Sequence, residues 1–354
     1  MRKRNKIILV AILQLFSCYT YGQFNSVFNK ATTTSDSTGN FSFIVSGHFH
    51  GSSSNQSTYP AATILAGIDT LNNLKPVFLI SLGDLFIDVN ASYMEHYQKS
   101  FFDKLKMPLY NAVGNHDISN GNMYEKVYGN TYFKLSINDN LFIILNTEID
   151  DGSIKGSQLA FLKNLLEQTL KNNLQFKNIF IFSHRPVWAE NNERYNRLFL
   201  GNTRTSIGKN NFETDVKPLL FELAKTKNIF WMSGSLGGGP ASFFYDKEPE
   251  SNIHFIQTAI RDLPRDAVLQ VNVKDGAVAL NGISLTGQKL NPIESYNIDY
   301  WSHTVAAEEK FNFRMIPYLT KQMLGHYYFW IGFVSSLLML LIVRFLYVKW
   351  KKRR

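Results

Sequence analysis

Four apolar runs in this chain close on the same kind of polar junction, and that regularity constrains the fold more than any other feature. The run FSFIVS at 41–46 leads into Gly47, His48, Phe49, His50 and Gly51, and VFLISL at 77–82 leads into Gly83 and Asp84. PLYNAV at 108–113 leads into Gly114, Asn115, His116 and Asp117, and NIFIFS at 178–183 into His184, Arg185 and Pro186. Short runs that are apolar at nearly every position read as strands buried on both faces. Such strands align their terminal side chains along one sheet edge, where α/β folds bind ligands. Helices are expected between them at 60–74, 91–105, 157–170 and 213–224; in the third, Leu159, Leu162, Leu165, Leu166 and Leu170 recur at helical spacing. Further strands are expected at 228–233, 253–259, 267–273 and 277–283, the last two joined by a hairpin turn at Lys274, Asp275 and Gly276. The pattern is α/β.

Gly83-Asp84, Gly114-Asn115-His116-Asp117 and the lone His184, in this order, resemble the blocks of the calcineurin-like metallophosphoesterases over roughly 41–287. That family's blocks are Asp-x-His, Gly-Asp, Gly-Asn-His-Asp/Glu, a lone His and a final Gly-His-x-His. Here His48 stands in place of the first aspartate, while His50 and Gly51 agree. After 228–233 the chain reads Gly234, Ser235, Leu236 and Gly237, without the two final histidines. The resemblance implies a sandwich of two mixed β-sheets flanked by helices.

It also implies a chemistry. A phosphoester accumulates negative charge as it is cleaved, and two cations about 3.5–4 Å apart clamp the phosphate and lower the pKa of a water. By resemblance Asp84 bridges the ions, Asn115 and His184 hold one, and His48 and His50 hold the other. The ions are divalent, Zn, Fe or Mn, with an imidazole-rich set favouring Zn²⁺ or Fe. His116 is then the general acid, oriented by a carboxylate such as Asp117. Asn115 also faces substrate. Arg185 either pairs with phosphate oxygens or lies in a surface salt bridge. The glycine-rich stretch 234–239 either cradles an anion or is a sharp turn after a strand. His96, His254, His303 and His326 match no block, although His254 or His303 is open to filling a vacated ligand position. Phe49, Phe101, Phe102, Trp188, Trp231, Phe243 and Phe244 are expected in the core and pocket walls.

The termini carry a separate message. Arg2, Lys3, Arg4 and Lys6 precede an apolar run at 7–16, which reads as a secretory signal over 1–22 with cleavage before Gln23. The stretch 327–348 is apolar apart from Arg344 and long enough to cross a bilayer, and 349–354 is a basic tail. The division expected is a signal at 1–22, a lead at 23–40, a phosphoesterase domain at 41–290, a tether at 291–326, one transmembrane helix at 327–348 and a cytoplasmic tail at 349–354. That places the domain outside the cytoplasm, in a periplasm or at a cell surface. The formal charge is +9, yet ten of the 37 cationic residues lie in the two ends, leaving 27 against 28 acidic residues. A body that near neutrality, with no basic stripe, argues against a nucleic-acid partner; the partners expected are the membrane and a phosphorylated small molecule or lipid headgroup. The single cysteine, Cys18, lies in the signal, so the body is disulfide-free, and Cys18 is alternatively a lipidation site. The function expected is hydrolysis of a phosphomonoester or phosphodiester by a metal-bound hydroxide. The alternative is an inactive relative that binds a phosphorylated ligand or a protein.

Overall fold

Apolar strands buried on both faces need cover on each side, and the chain supplies it with two sheets and two helical layers. The computed structural model describes residues 24–33, 39–52, 55, 57–150, 152–171, 176–190, 192–195, 198, 210–235, 242–303 and 313–353. The expected signal at 1–22, Cys18 and glycines 237–239 lie outside the described residues.

In chain order the elements are β1 (Phe41–Ser46), α1 (Ala62–Asn73), β2 (Leu79–Ser81), α2 (Ala91–Ser100), β3 (Leu109–Asn111), α3 (Met123–Tyr128), β4 (Phe133–Ile137) and β5 (Asn140–Ile144). They continue with α4 (Gly156–Lys171), β6 (Asn178–Ser183), α5 (Lys217–Ala224), β7 (Asn228–Ser233), β8 (Ser242–Lys247), β9 (Ile253–Ala259), β10 (Ala267–Lys274), β11 (Ala277–Ser284), α6 (Ile298–His303), α7 (Ile316–Gly325) and α8 (Tyr327–Lys351). One sheet has the order β11-β10-β1-β2-β3 and the other β4-β5-β6-β7-β9-β8. Both are mixed: β1, β2 and β3 run parallel, as do β5, β6, β7 and β9, with antiparallel strands at the margins. This is the α/β sandwich of two mixed sheets.

Alternation along each strand divides its side chains between two cores. Phe43 and Val45 of β1 enter the layer between the sheets, with Phe142, Phe180, Phe182 and Phe230 from the opposite sheet, while Ile44 faces α1. The aromatic rings interlock, Phe43 lying edge-on to Phe180 at 5.1 Å and to Phe142 at 5.4 Å. The second sheet buries Leu141, Ile143, Ile179 and Ile181 against Leu162, Leu165 and Leu166 of α4. At the far end of that sheet, Asn178 donates from Nδ2 to Asn140 Oδ1 (2.8 Å) and accepts from Asn228 Nδ2 (2.9 Å), an amide ladder across β5, β6 and β7.

Local signals explain the boundaries. Asn90 caps α2 by accepting from Ser92 N and Tyr93 N at 3.1 and 3.2 Å. Asp275 and Gly276 both have positive φ (53° and 82°), the two-residue hairpin that joins β10 and β11. The helix expected at 91–105 ends at Ser100 and continues as a short 3₁₀ turn at Phe102–Lys104. The helix expected from 213 opens with a π turn, Phe212–Val216.

The segment 291–326, expected as a tether, packs on the body wherever it is described. Ile293 and Tyr296 join the inter-sheet core, and Trp301 Nε1 donates to Phe243 O at 3.0 Å. Met315, Tyr318 and Leu319 lie on Ala62 and Ala66 of α1. Before residue 304 single side chains make the contacts, whereas Met315, Tyr318, Leu319 and Gln322 contact the body at helical spacing from the start and one face of α7. By contrast α8 exposes its apolar side chains all round, Leu340 at 65% and Met339 at 68%. Its 25 residues are long and apolar enough to cross a membrane.

One carboxyl makes stability depend on pH. Asp266, fully buried before β10, accepts from Thr63 Oγ1 (2.8 Å) and Arg261 N (3.1 Å). Burial, aided by the charge of Asp262, pushes its pKa up to about 7. Between about pH 4, where an unfolded aspartate titrates, and about pH 7 the folded chain keeps a proton that the unfolded chain has lost. The group's contribution therefore declines through that window by roughly 1 kcal/mol per pH unit and is level above it. Urea unfolding from pH 4 to 8 should show that slope in wild type minus Asp266→Asn; parallel curves would refute it.

Candidate metal centre

Parallel register sets the site. Ser46 pairs with Ser81 and Ser81 with Asn111, so the loops after β1, β2 and β3 leave the sheet side by side. The two sheets meet at this edge: Gly47 N donates to Thr258 O (3.0 Å) and Ile260 N to Gly47 O (3.2 Å). Two glycines are required by close approach. A Cβ on Gly83, whose φ is +88°, would lie 2.5 Å from His184 Nδ1, and one on Gly114 would lie 2.2 Å from Asp84 Oδ1. His48 (φ 58°) and Asp84 (φ 54°) hold left-handed backbone without being glycine. Conformations of this kind cost on the order of 1–3 kcal/mol each and concentrate at functional sites. Main-chain bonds from His48 N to Gly83 O (2.9 Å) and from His50 N to Asp84 O (3.4 Å) secure them.

Three imidazoles converge on one oxygen. The Nε2 atoms of His184, His48 and His50 lie 3.5, 3.6 and 3.7 Å from Asp84 Oδ2. Ligands at about 2.0–2.2 Å from a tetrahedral zinc are roughly 3.4 Å apart, and these separations are close to that spacing. His184 Nδ1 donates to Leu82 O at 2.9 Å, which leaves its Nε2 lone pair aimed at Asp84. Among the described residues, His184 Nε2 and both ring nitrogens of His50 are buried without a hydrogen-bond partner. The donor set fits a cation: His48, His50 and Asp84 place ligand atoms within 4.8 Å of one another, and His184 adds a fourth, its Nε2 3.5 Å from the same carboxylate oxygen. Burial alone would raise the Asp84 carboxyl, but His184, His50 and His48 together hold it well below the usual carboxylate range. Burial, against the pull of Asp84, keeps His48 well below the ordinary histidine value and thus in the neutral form that ligates.

Asn115 lies between two residues that touch Asp84, and is half-buried. His116 N donates to Asp84 Oδ1 (3.1 Å), and its Nδ1 is 2.9 Å from Ile87 O. Its ring stands 5.0 Å from that of His50.

Two expected roles are corrected. Asp117 does not orient His116: fully buried, it accepts from Phe86 N (3.1 Å), Gly114 N (2.9 Å) and Asn111 Nδ2 (3.0 Å). Its oxygens are committed to bracing the loop after β3, and a backbone carbonyl orients His116 instead. Arg185 is neither in a surface salt bridge nor open to phosphate through its fork. Its Nε and Nη2 each donate to Glu148 at 2.7 Å, with the two side chains only 3% and 2% exposed. Arg185 N also bonds Thr147 Oγ1 at 3.0 Å. Sequence reasoning missed Glu148, although the run LFIIL at 141–145 followed by Asn146, Thr147 and Glu148 has the same form as the other four junctions.

His254 and His303 do not enter the centre. His254 stacks on Phe230 at 4.6 Å and bonds Tyr245 Oη at 2.8 Å, and His303 sits with Asp299 on exposed α6. At the end of β7, where the final histidines would be sought, Gly234 N and Ser235 N both donate to His184 O, at 3.0 and 2.7 Å.

A two-sheet α/β domain thus carries, on its parallel edge, a histidine-rich, carboxylate-centred cluster with the donor set of a metal site. The calcineurin-like phosphoesterase family matches residues 55–223, and the chain carries a domain of that family. Among solved structures the chain is similar to GAP50, the anchor in the inner membrane complex of Plasmodium, with 13% identity and a TM-score of 0.48 over 80% of this chain and 95% of that one. It is also similar to the purple acid phosphatase PPD1 from yellow lupin (Lupinus luteus) seeds, with 11% identity and a TM-score of 0.45 over 72% and 53%. Likenesses this distant say nothing of activity. No curated protein matches the chain in sequence.

Proposed function

We propose that this chain is a metal-dependent phosphoesterase, anchored by α8 with its domain outside the cytoplasm, that hydrolyses a phosphomonoester or phosphodiester. One observation carries the reading: three imidazole nitrogens, those of His50 and His184 buried, face a single carboxylate oxygen at 3.5–3.7 Å, an arrangement that is satisfied by cations. His48, His50 and Asp84 would hold one divalent ion, and Asp84, Asn115 and His184 the other. Bound there, such ions neutralise phosphate oxygens and lower the pKa of a water. The chain's residues do the rest. His116, fixed through Nδ1 to Ile87 O, presents Nε2 as the proton donor to the departing oxygen. Asp117 and the Arg185–Glu148 pair hold the loops that carry these groups. Anchoring is supported by the exposed apolar surface of α8.

Purified with added zinc, iron or manganese, the full chain should retain transition metal by elemental analysis and hydrolyse p-nitrophenyl phosphate. His116→Gln should keep the metal and lose about 10²–10⁴-fold in turnover, the usual contribution of a placed general acid. Wild-type rates in that variant would remove His116 from the reaction. A second reading, a binding module without catalysis, is favoured by Ser235 in place of a histidine beside His184 O. Under that reading the metal-supplemented chain hydrolyses nothing.

A further inference from the structure

The loop that carries His50 also borders the root of α8. The loop after β1 carries His50 and then Ser52 and Asn55, and these two line a cleft of about 560 Å³ with Asp262, Met323, Tyr328 and Phe329. Ser52 is two residues from His50, so their Cα atoms are at most about 8 Å apart. Tyr328 and Phe329 belong to the first turn of α8. Tyr327, Tyr328 and Trp330 are all about half exposed there, the aromatic belt that marks headgroup depth. The connection is bonded to the body. Gln322 Nε2 donates to Pro60 O (2.9 Å) and Asp262 Oδ2 (3.3 Å), and Lys321 Nζ stands 4.0 Å over the Tyr59 ring. Asp262 is held in this wall by Thr63 as well, its Oδ1 accepting from Thr63 N at 3.0 Å.

From this placement we infer that the substrate is a phosphoester borne by a membrane lipid, whose phosphate reaches the centre from the bilayer surface while its lipid-proximal part occupies the cleft. The inference rests on the phosphoesterase reading above. A domain clamped with its catalytic edge at headgroup level presents that edge to the interface, where lipid phosphates lie. A cleft of mixed aromatic, thioether and polar lining suits the glycerol or first isoprene unit behind such a phosphate.

The test uses the full chain reconstituted with zinc in phosphatidylcholine vesicles that carry either phosphatidate or a polyprenyl phosphate, beside p-nitrophenyl phosphate in water. Wild type should release phosphate from at least one lipid. Met323→Trp, at a position 47% exposed and so able to take the larger ring, should lower the lipid-to-aryl turnover ratio about tenfold or more by filling the cleft. Hydrolysis of the aryl ester with neither lipid attacked overturns the inference and leaves the phosphoesterase reading standing. Lipid hydrolysis with an unchanged ratio in Met323→Trp overturns it as well. No hydrolysis of any substrate by the metal-loaded chain removes the parent reading, and the inference with it.

Discussion

Asp84→Asn should lower p-nitrophenyl phosphate turnover by about 10³-fold or more, because metal-held charge stabilises a phosphoester transition state by several kcal/mol. The asparagine keeps the shape of the side chain, and its carbonyl oxygen can still accept from His116 N, which Asp84 Oδ1 does at 3.1 Å. What disappears is the one carboxylate on which His48, His50 and His184 converge. Metal content should fall in parallel, measured by elemental analysis after gel filtration. A variant that held wild-type metal and wild-type turnover would show that the imidazole cluster is not the catalytic centre.

Arg185→Met should destabilise the fold by about 3–5 kcal/mol, the usual consequence of removing one partner from a buried ion pair. Glu148 would keep a carboxylate 2% exposed with its bidentate partner gone. The double variant Arg185→Met with Glu148→Leu should regain much of that loss, since replacing both charges by apolar groups is often neutral. Urea denaturation of the two variants decides the matter. A single variant of wild-type stability whose KM alone rises would return Arg185 to the substrate and overturn the structural role given to it here.

The difference between Arg185 and Asp84 shows how far sequence reaches. Asp84 and His184 directly follow a glycine or a strand end, and His116 stands two residues beyond Gly114, where an apolar run meets polar residues. The parallel pairing of β1, β2 and β3 brings the loops of Asp84 and His116 together without further information. Local pattern suffices there because the period of a strand fixes where its last side chain emerges. The partner of Arg185 is legible only once β5 is known to lie beside β6, a fact of pairing and not of local pattern. The orienter of His116 is less accessible still: Ile87 supplies a main-chain carbonyl, which every residue possesses, so nothing in the identity of Ile87 announces it. Asp117 misled because a carboxylate adjacent to a histidine in sequence points to the other side of the loop in space. The segment after β11 is hidden for another reason: its first contacts, Ile293, Tyr296 and Trp301, are isolated side chains, and the contacting face of α7 is only a few residues long.

The amide ladder at the foot of β5, β6 and β7 has a consequence for the opposite edge. Asn178 and His184 stand at two ends of one stretch of chain, six residues or about 20 Å apart. Crosswise bonds at 2.8 and 2.9 Å add to the main-chain pairing of β5, β6 and β7 against lengthwise sliding, so the height at which the imidazole meets Asp84 is held in part remotely, by uncharged side chains at the other end of the strand. Precision at the reactive end of this protein is therefore anchored partly in its quietest corner.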